Sequence, residues 1–416
     1  MDKDMIKQKK NERQQRGRLV LFPVILFVGV LCACMLVSIV KPKSDFSEAE
    51  NRALQELPEL SFDSILQGDV QEEYEDYLSD QFWGREGFVA LCTKLKRSFG
   101  KKDINGVYLG TDGYLLEKYH ASDFDKTQVE DNIFYLSAFI KDTVKSLGKD
   151  HVRTLFIPSK ATVLSSYMPE HAKAYDTSYV PQQVAKEISF GVEEEEADVD
   201  GGVLNLTMAL NRHEKEYIYY RTDHHWTTLG AYYAYSAYKE SLGQMPPALS
   251  DYKQKVVSNQ FLGTSYDKVQ QAEQADEIRC FTYMGTRTVS SNALHINFDD
   301  GASVWDSYYD ENSLSTKDKY SYFLGGNTAK IHITTGTDNG KVLLLLKDSF
   351  SNSFVEFLEQ DYTHIYMLDL RYVEGNVYDS IAAINRENSI TDVLVLYNVE
   401  KFMQDDNMWK LEQGHN

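Results

Sequence analysis

Three short, predominantly apolar segments in the last quarter of the chain constrain the fold most. They cover Val342 to Leu346, Ile365 to Leu370 and Val393 to Tyr397, and helical patterns at 351–360 and 377–388 separate them. A strand that is apolar without alternation is buried on both faces, and strands joined by helical crossovers are parallel. The sequence therefore predicts an α/β fold whose parallel sheet is covered by helices on both faces.

The same patterns predict further elements upstream. An amphipathic helix is expected over 132–147 and leads into a buried strand at 152–158, and a strand over 217–220 leads towards a helix that Thr227 or Thr228 caps. Before them, helices are predicted over 63–78 and 88–99, and a hairpin over 107–116 about a Gly-Thr-Asp-Gly turn. Residues 244–335 have little regular pattern and are expected to be an irregular insertion with some antiparallel strand.

The uncharged run from Leu19 to Val40 has 22 residues, which is enough for a helix to cross a hydrocarbon core of about 30 Å. Seven basic and three acidic residues precede it, so the positive-inside rule keeps the N-terminus in the cytoplasm. Four segments are predicted: a cytoplasmic tail (1–18), a transmembrane helix (19–40), a helical and hairpin region (41–119) and an α/β domain (120–416) outside the cell membrane.

Two processing events are alternatives to a retained anchor. A cleaved signal peptide has an apolar core of about 7–15 residues, shorter than this run, and a small-x-small exit. The segment from Leu31 to Cys34 also resembles a lipoprotein signal with Cys34 as the lipidated residue, although Cys32 is unusual inside such a box and the apolar run continues beyond it.

The charge of the chain excludes one class of partner. The net charge is −20, and the part after the anchor carries about −24, whereas nucleic-acid binding requires clustered Lys and Arg. An acidic run at 193–198 is expected to be a solvated loop, with calcium binding as the sharper alternative. Outside the anchor only Cys92 and Cys280 remain, too few for a disulfide scaffold, and the sequence does not say whether they pair.

Two short motifs carry the residue types of nucleophilic catalysis. Ser349 follows a buried strand and precedes a helix, a place where open α/β sheets bind ligands and where free backbone N–H groups can receive an oxyanion. Asp223 and His225 are two residues apart at the end of a predicted strand, so in extended backbone both side chains leave the same face and His224 points away. Ser349 as nucleophile, His225 as base and Asp223 as its orienting carboxylate are the predicted site.

Other functions for these residues stay open at this point. Asp348 or Ser349 could simply cap the following helix. His224 with His225, or Asp223 with His225, could instead ligate a metal. Asp-His-His phosphoesterases need further paired aspartates upstream of the motif, and no such set is present. We predict no metal and no cofactor.

Four more residues are candidates for contact with a substrate or an oxyanion. Arg371 and Tyr397 lie at or near the carboxyl ends of two predicted strands, and Lys160 is placed similarly. Trp226 could stack on a sugar, although an aromatic residue beside such a motif more often packs in the core.

The motifs in their order also resemble a known family. They are Glu50-Asn51-Arg52, Asp80-Gln81-Phe82-Trp83-Gly84-Arg85, Gly110-Thr111-Asp112-Gly113-Tyr114-Leu115, Asp223-His224-His225-Trp226-Thr227, Phe261-Leu262-Gly263-Thr264, Lys347-Asp348-Ser349-Phe350 and Leu368-Asp369-Leu370-Arg371-Tyr372. Over nearly everything after Ser47, the sequence resembles exported DHHW-motif proteins, which are related to alginate O-acetyltransferases and, more distantly, to SGNH hydrolases.

The resemblance implies a permuted SGNH-like domain in which Asp223, His225 and Ser349 match the triad. It implies an O-acyltransferase, with acetyl the expected group, or an esterase that acts on a cell-surface or secreted polysaccharide. A membrane partner that delivers acyl groups is a further expectation. Acetyltransferase relatives usually have Gly where this chain has Lys347. The alternative from a different class is a catalytically silent carbohydrate-binding or polysaccharide-assembly protein with the same fold.

Overall fold

The structure is a computed structural model that describes residues 3–41, 43, 46–47, 52–58, 69–189, 202–285, 294–298 and 304–413. The chain divides into two compact units, residues 1–95 and 96–416. The larger unit includes the predicted hairpin. The acidic run at 193–198 lies outside the described residues.

The smaller unit contains the apolar segment. Helix α1 spans Lys3–Val40, and within it Leu21–Ser38 has a mean hydropathy of 2.7, long and apolar enough to cross a membrane. After it come the short paired strands β1 (Phe46–Ser47) and β2 (Arg52–Ala53), and then helices α2 (Asp69–Asp80) and α3 (Arg85–Ser98). Residues 63–68 of the helix predicted over 63–78 lie outside the described residues, and α3 confirms the second predicted helix.

The larger unit is organised around an eight-stranded sheet. Five adjacent strands of this sheet are parallel, so the predicted parallel sheet is confirmed, and the other three strands are antiparallel. In spatial order the strands are β11 (Val304–Trp305), β10 (His295–Phe298), β12 (Lys330–Thr334), β14 (His364–Leu368), β13 (Val342–Lys347), β15 (Asp392–Asn398), β6 (Val152–Ile157) and β7 (Val203–Asn205).

The segment 244–335 contains more regular secondary structure than its sequence predicts. Three of its strands, β10, β11 and β12, extend the main sheet, while β8 (Tyr252–Phe261) and β9 (Asp276–Tyr283) pair as a separate antiparallel ribbon. Along β10 exposed and buried residues alternate, which is typical of an antiparallel strand with one face on the core and one in solvent. The correction is that part of this segment is sheet edge rather than insertion.

Helices cover the sheet on both faces. Leu343 and Leu345 of strand β13 pack in one core with the helix at 228–241. Leu344 and Leu346 pack in the other core with the helices at 126–147, 179–189 and 377–387. The longer helices of this unit are α4 (Lys126–Leu147), α6 (Tyr179–Ser189), α8 (Thr228–Ser241) and α10 (Val377–Glu387), and the short ones are α5 (Lys160–Val163), α7 (Thr207–Asn211), α9 (Thr264–Val269) and α11 (Val399–Gln404). The prediction of parallel strands buried on both faces is confirmed for β13, β15 and β6.

Several local predictions are confirmed and two are wrong. The hairpin forms from β4 (Val107–Leu109) and β5 (Leu115–Glu117), with β3 (Asp103–Ile104) beside them, and Thr227 caps α8. However, the segment over 351–360 forms 3₁₀ turns rather than an α-helix. The strand predicted over 217–220 is reduced to a single bridge between Tyr219 and Trp226, because the chain turns back immediately after it.

Candidate active site

Ser349 lies directly beyond the carboxyl end of the central strand β13. The cap of the following turn is Asp348, whose carboxylate accepts hydrogen bonds from Phe350 N (3.0 Å) and Asn398 N (2.7 Å). The capping role that the sequence left open therefore belongs to Asp348. The hydroxyl of Ser349 has a different partner, the ring of His225.

The loop of residues 222–226, which we call the DHHW loop, brings His225 to that position by folding back on itself. Tyr220 N donates to His225 O at 3.2 Å, and Thr227 N donates to Ile218 O at 2.9 Å. Inside the loop, His225 N donates to the Asp223 carboxylate at 2.9 Å. Asp223 and His225 are thus brought together by a tight bend and not by the extended strand that the sequence predicts.

Asp223, His225 and Ser349 form a continuous series of hydrogen bonds. His225 Nδ1 lies 2.6 Å from Asp223 Oδ1, and His225 Nε2 lies 2.7 Å from Ser349 Oγ. A carboxylate on Nδ1 fixes the tautomer that leaves the lone pair on Nε2, where it can accept the proton of the hydroxyl. Both distances lie within the range that general-base activation of a nucleophile requires.

The second oxygen of Asp223 is held by a segment that is about 40 residues further along the chain. Thr264 donates to Asp223 Oδ2 from its backbone N (2.9 Å) and its hydroxyl (3.0 Å). A Cβ at Gly263 would lie 2.3 Å from Asp223 Oδ2, so only glycine permits this approach. Burial opposes ionisation of Asp223, but His225, His224 and the hydrogen bonds hold its pKa well below the usual range.

Two aromatic rings enclose the imidazole of His225. The ring of Tyr320 stacks on it with centroids 3.8 Å apart and planes 10° from parallel, and Phe350 packs at 4.8 Å. Tyr320 also donates its hydroxyl to Ser349 O at 3.1 Å, so one side chain contacts both the base and the backbone of the serine. These contacts restrict the imidazole to the orientation in which Nε2 meets Ser349.

Comparison with known proteins finds one family model and several solved structures that are similar to this chain. The DHHW family model, described as "DHHW protein", matches residues 193–368, which contain Asp223, His225 and Ser349. The resemblance to DHHW proteins is confirmed. None of the curated proteins matches the chain.

Solved structures share the fold. A DHHW family protein from Eubacterium siraeum is 25% identical over 74% of this chain and 95% of its own, with a TM-score of 0.55. Bacillus cereus PatB1 with a sulfonyl adduct is 23% identical over 74% of this chain and 98% of its own, with a TM-score of 0.54. PatB1 in a second structure is 21% identical over 72% and 98%, with a TM-score of 0.55.

His224 of the DHHW loop does not point away as the sequence predicts. Its ring centroid lies 3.9 Å from that of His225, and its Nδ1 lies 2.6 Å from Thr264 Oγ1. The bend of the loop places consecutive side chains on one side, which an extended strand cannot do. Burial, followed by the neighbouring His225, keeps the pKa of His224 well below its usual value, so this imidazole is neutral at pH 7.

Asp223, His224 and His225 are also a possible metal-ligand set, because one ligand atom of each lies within 4.8 Å of the others. Their hydrogen bonds account for this proximity in a different way. Nδ1 of each imidazole already meets an oxygen of Asp223 or Thr264, and Nε2 of His225 meets Ser349. These hydrogen bonds explain the proximity of Asp223, His224 and His225 at least as well as a bound metal ion does.

Lys160 and Trp226 are structural residues, which corrects their prediction as substrate contacts. Lys160 is fully buried, and its ammonium donates to Asp223 O (2.6 Å) and Tyr220 O (3.2 Å), so it holds the backbone of the DHHW loop. Trp226 is also fully buried, and its indole N–H lies 3.1 Å from Phe350 O and 3.0 Å from Ser353 Oγ. Neither side chain is open to a substrate.

Tyr397 and Arg371 differ in their access to solvent. Tyr397 belongs to the core beneath the sheet, where burial raises the pKa of its hydroxyl, and we leave it out of the proposed substrate site. Arg371 follows the end of β14, beside β13, and its side chain is 34% exposed. Two of its guanidinium nitrogens donate to Asp369 at 2.8 and 2.6 Å, which orients the group. Among the four candidates, it is the one that we retain.

Lys347, at the position where the resemblance implies glycine, is fully buried. Its buried ammonium donates to Asn352 Oδ1 (2.7 Å) and Asn327 Oδ1 (3.0 Å) and lies 3.5 Å from Asp369. The ammonium therefore belongs to a polar network that it shares with Arg371 through Asp369.

Sequence reasoning missed Gly263, Thr264 and Tyr320. The first two lie in the Phe261-Leu262-Gly263-Thr264 motif, but Tyr320 is one of 28 tyrosines and nothing in the sequence distinguishes it.

Proposed function

We propose that this protein is an extracytoplasmic O-acyltransferase in which Ser349, His225 and Asp223 act as nucleophile, general base and orienting carboxylate. The observation that carries the proposal is the series of hydrogen bonds that joins the three side chains, at 2.6 and 2.7 Å. The resemblance to DHHW proteins and their acetyltransferase relatives supports acetyl as the group and a cell-surface or secreted polysaccharide as the acceptor.

The proposed reaction has two half-reactions. In the first, His225 Nε2 takes the proton of Ser349 as Oγ attacks the carbonyl carbon of an acyl donor, and the imidazolium then protonates the leaving group. In the second, His225 deprotonates a glycan hydroxyl that attacks the acyl-serine, and the proton returns to Ser349. Asp223 stabilises the imidazolium in both. Water in place of the glycan makes the same site an esterase.

The oxyanion of each tetrahedral intermediate needs hydrogen-bond donors near Ser349. At the start of its turn, Phe350 N is bound to the Asp348 carboxylate and Ser351 N to Asp348 O. We propose Ser349 N–H as the oxyanion donor, since the first N–H groups of a helical turn have no carbonyl partner within it. Arg371, at the end of the neighbouring strand, is the proposed contact for an oxygen of the substrate.

A transfer assay tests the proposal. Full-length protein in detergent is incubated with p-nitrophenyl acetate and with neutral or uronic-acid oligosaccharides, and nitrophenol release and acetylated sugars are measured together. We expect release without a sugar, and acetylated product when an accepted sugar is added. Release with no acetylated sugar for any acceptor favours the esterase. Folded protein that releases no nitrophenol contradicts the enzyme and favours the silent polysaccharide-binding alternative.

We further propose that α1 anchors the protein, with the N-terminus in the cytoplasm and the larger unit outside. The support is the apolar segment Leu21–Ser38 and the excess of basic residues before it. Protease added to intact cells is expected to digest the chain after Val40 and to leave the first 18 residues intact. Immunoblots with tags at the two termini measure this, and an intact C-terminal tag, with digestion only after cell lysis, contradicts the topology.

A further inference from the structure

Three histidines lie on neighbouring strands at the antiparallel edge of the sheet, and the proposed reaction uses none of them. His295 is on β10, His332 on β12 and His364 on β14, in the order in which these strands pair. Thr334 on the middle strand lies opposite both His295 and His364 in the pairing register. His332 precedes Thr334 by two residues and is therefore the diagonal neighbour of both.

All three side chains leave the same face of the sheet. Residues that pair across strands project to one side, and residues two apart on a strand share that side. The intervening residues Ile296, Ile333 and Ile365 are fully buried and occupy the opposite face, in the core. His295 is exposed, and His332 and His364 are partly exposed. The histidines therefore form a polar surface that a small ligand can reach.

Two of the imidazoles already have the spacing of ligands on one ion. His332 Nε2 lies 3.2 Å from His364 Nδ1. Two nitrogens bound at about 2.0–2.1 Å to a tetrahedral zinc ion lie about 3.3 Å apart. Diagonal neighbours across an antiparallel pair lie about 7–8 Å apart, with their Cβ atoms somewhat closer, so the imidazole of His295 can also reach an ion held by His332.

An aromatic contact holds the imidazole of His332 in place. The ring of Tyr366 stacks on His332 with centroids 4.0 Å apart, which limits the rotation of that ligand.

We propose that His295, His332 and His364 bind a zinc ion, with the fourth position open to solvent. Among the described residues the three imidazoles do not converge within 4.8 Å, so closure of the site requires a new rotamer of the exposed His295. The ion would join β10 and β12 to β14. The site is separate from Ser349: His364 pairs with Val342 at the first residue of β13, whereas Ser349 lies beyond the last, about 17 Å along the strand.

A hydrogen bond between His332 and His364 is the simpler explanation of their contact, and it gives His295 no role. Zinc titration distinguishes the two. Full-length protein purified without a polyhistidine tag is titrated with ZnCl₂ against a chromophoric chelator. We expect one ion to bind, and its affinity to fall at least about tenfold in each of His295→Ala, His332→Ala and His364→Ala, because loss of even an outer partner costs this much.

Two further variants assign the ion to its site. His171→Asn removes an exposed histidine elsewhere, where φ is 66° and Asn is tolerated, and it should bind zinc like the wild type. His225→Ala, which removes a member of the other possible ligand set, should also retain binding. Thermal midpoints without metal confirm that each variant is folded. Binding that survives any one of the three histidine substitutions unchanged, or that is lost in His225→Ala, overturns the site.

Discussion

Asn in place of Asp223 is expected to lower kcat for acyl release about 10⁴-fold, the loss that the same substitution causes in a serine protease triad. The substitution keeps the shape of the side chain and removes its charge. The imidazolium that forms at His225 then has no carboxylate beside it. The neutral imidazole can also take the tautomer with its proton on Nε2, which cannot accept a proton from Ser349.

The same substitution is expected to lower the stability of the protein, because both oxygens of the Asp223 carboxylate act as hydrogen-bond acceptors. His225 N and Nδ1 donate to Oδ1, and Thr264 N and Oγ1 donate to Oδ2. An imidazole can change tautomer and a hydroxyl can rotate, but the two backbone N–H groups cannot. Asn offers only one acceptor oxygen, so one backbone N–H faces the NH2 group of the amide instead. This lowers the free energy of unfolding by about 1–3 kcal/mol.

Asp276→Asn is the matched control. Its carboxylate also accepts one backbone N–H on each oxygen, from Arg221 (2.8 Å) and Thr222 (2.7 Å), and it contacts no imidazole in the described part of the chain. Its loss of thermal stability should be similar, with a much smaller loss of kcat. Circular dichroism melts and nitrophenol release measure the two effects. Equal losses of kcat in both variants, or activity that survives His225→Ala but not His224→Ala, would contradict the assigned roles.

The sequence predicts the part of the site that depends on strand order. Ser349 follows an apolar strand with parallel neighbours, and residues just beyond the carboxyl ends of such strands meet at one edge. The apolar runs alone therefore place it correctly. The pairing of Asp223 with His225 is also predictable from their spacing, although the prediction assumes extended backbone where the chain bends.

The remaining contacts depend on chain segments that pack together only in the folded protein. Thr264 is 41 residues from Asp223, and Tyr320 is 29 residues from Ser349. Both lie in the segment that lacks a regular pattern, so periodicity gives no information about their position. For Lys160 the sequence suggests a role that the structure does not support. Its position after a strand suggests a substrate contact, but in the folded protein its ammonium donates to the backbone carbonyls of Asp223 and Tyr220.

Ser349→Ala tests the nucleophile and is expected to produce the largest loss of activity. Removal of the serine in a comparable triad lowers kcat about 10⁶-fold, and what remains comes from binding and the oxyanion donors. A serine-directed phosphonate should label Ser349 in the wild type and leave the variant unlabelled. Stability should change little, since the variant loses one hydrogen bond, worth about 1 kcal/mol, and the thermal midpoint should move by only about 2–4 °C.

Ser351→Ala is the control for this change, two residues away in the same turn. Its hydroxyl is buried and has no hydrogen-bond partner among the described residues, so its loss should affect neither activity nor labelling. Peptide mass spectrometry locates the phosphonate, and nitrophenol release measures turnover. A general base acts through contact or one bridging water, so the distance of 2.7 Å between His225 Nε2 and Ser349 Oγ leads us to expect an activated hydroxyl. A folded wild type that stays unlabelled, or labelling that persists in Ser349→Ala, therefore contradicts Ser349 as the nucleophile.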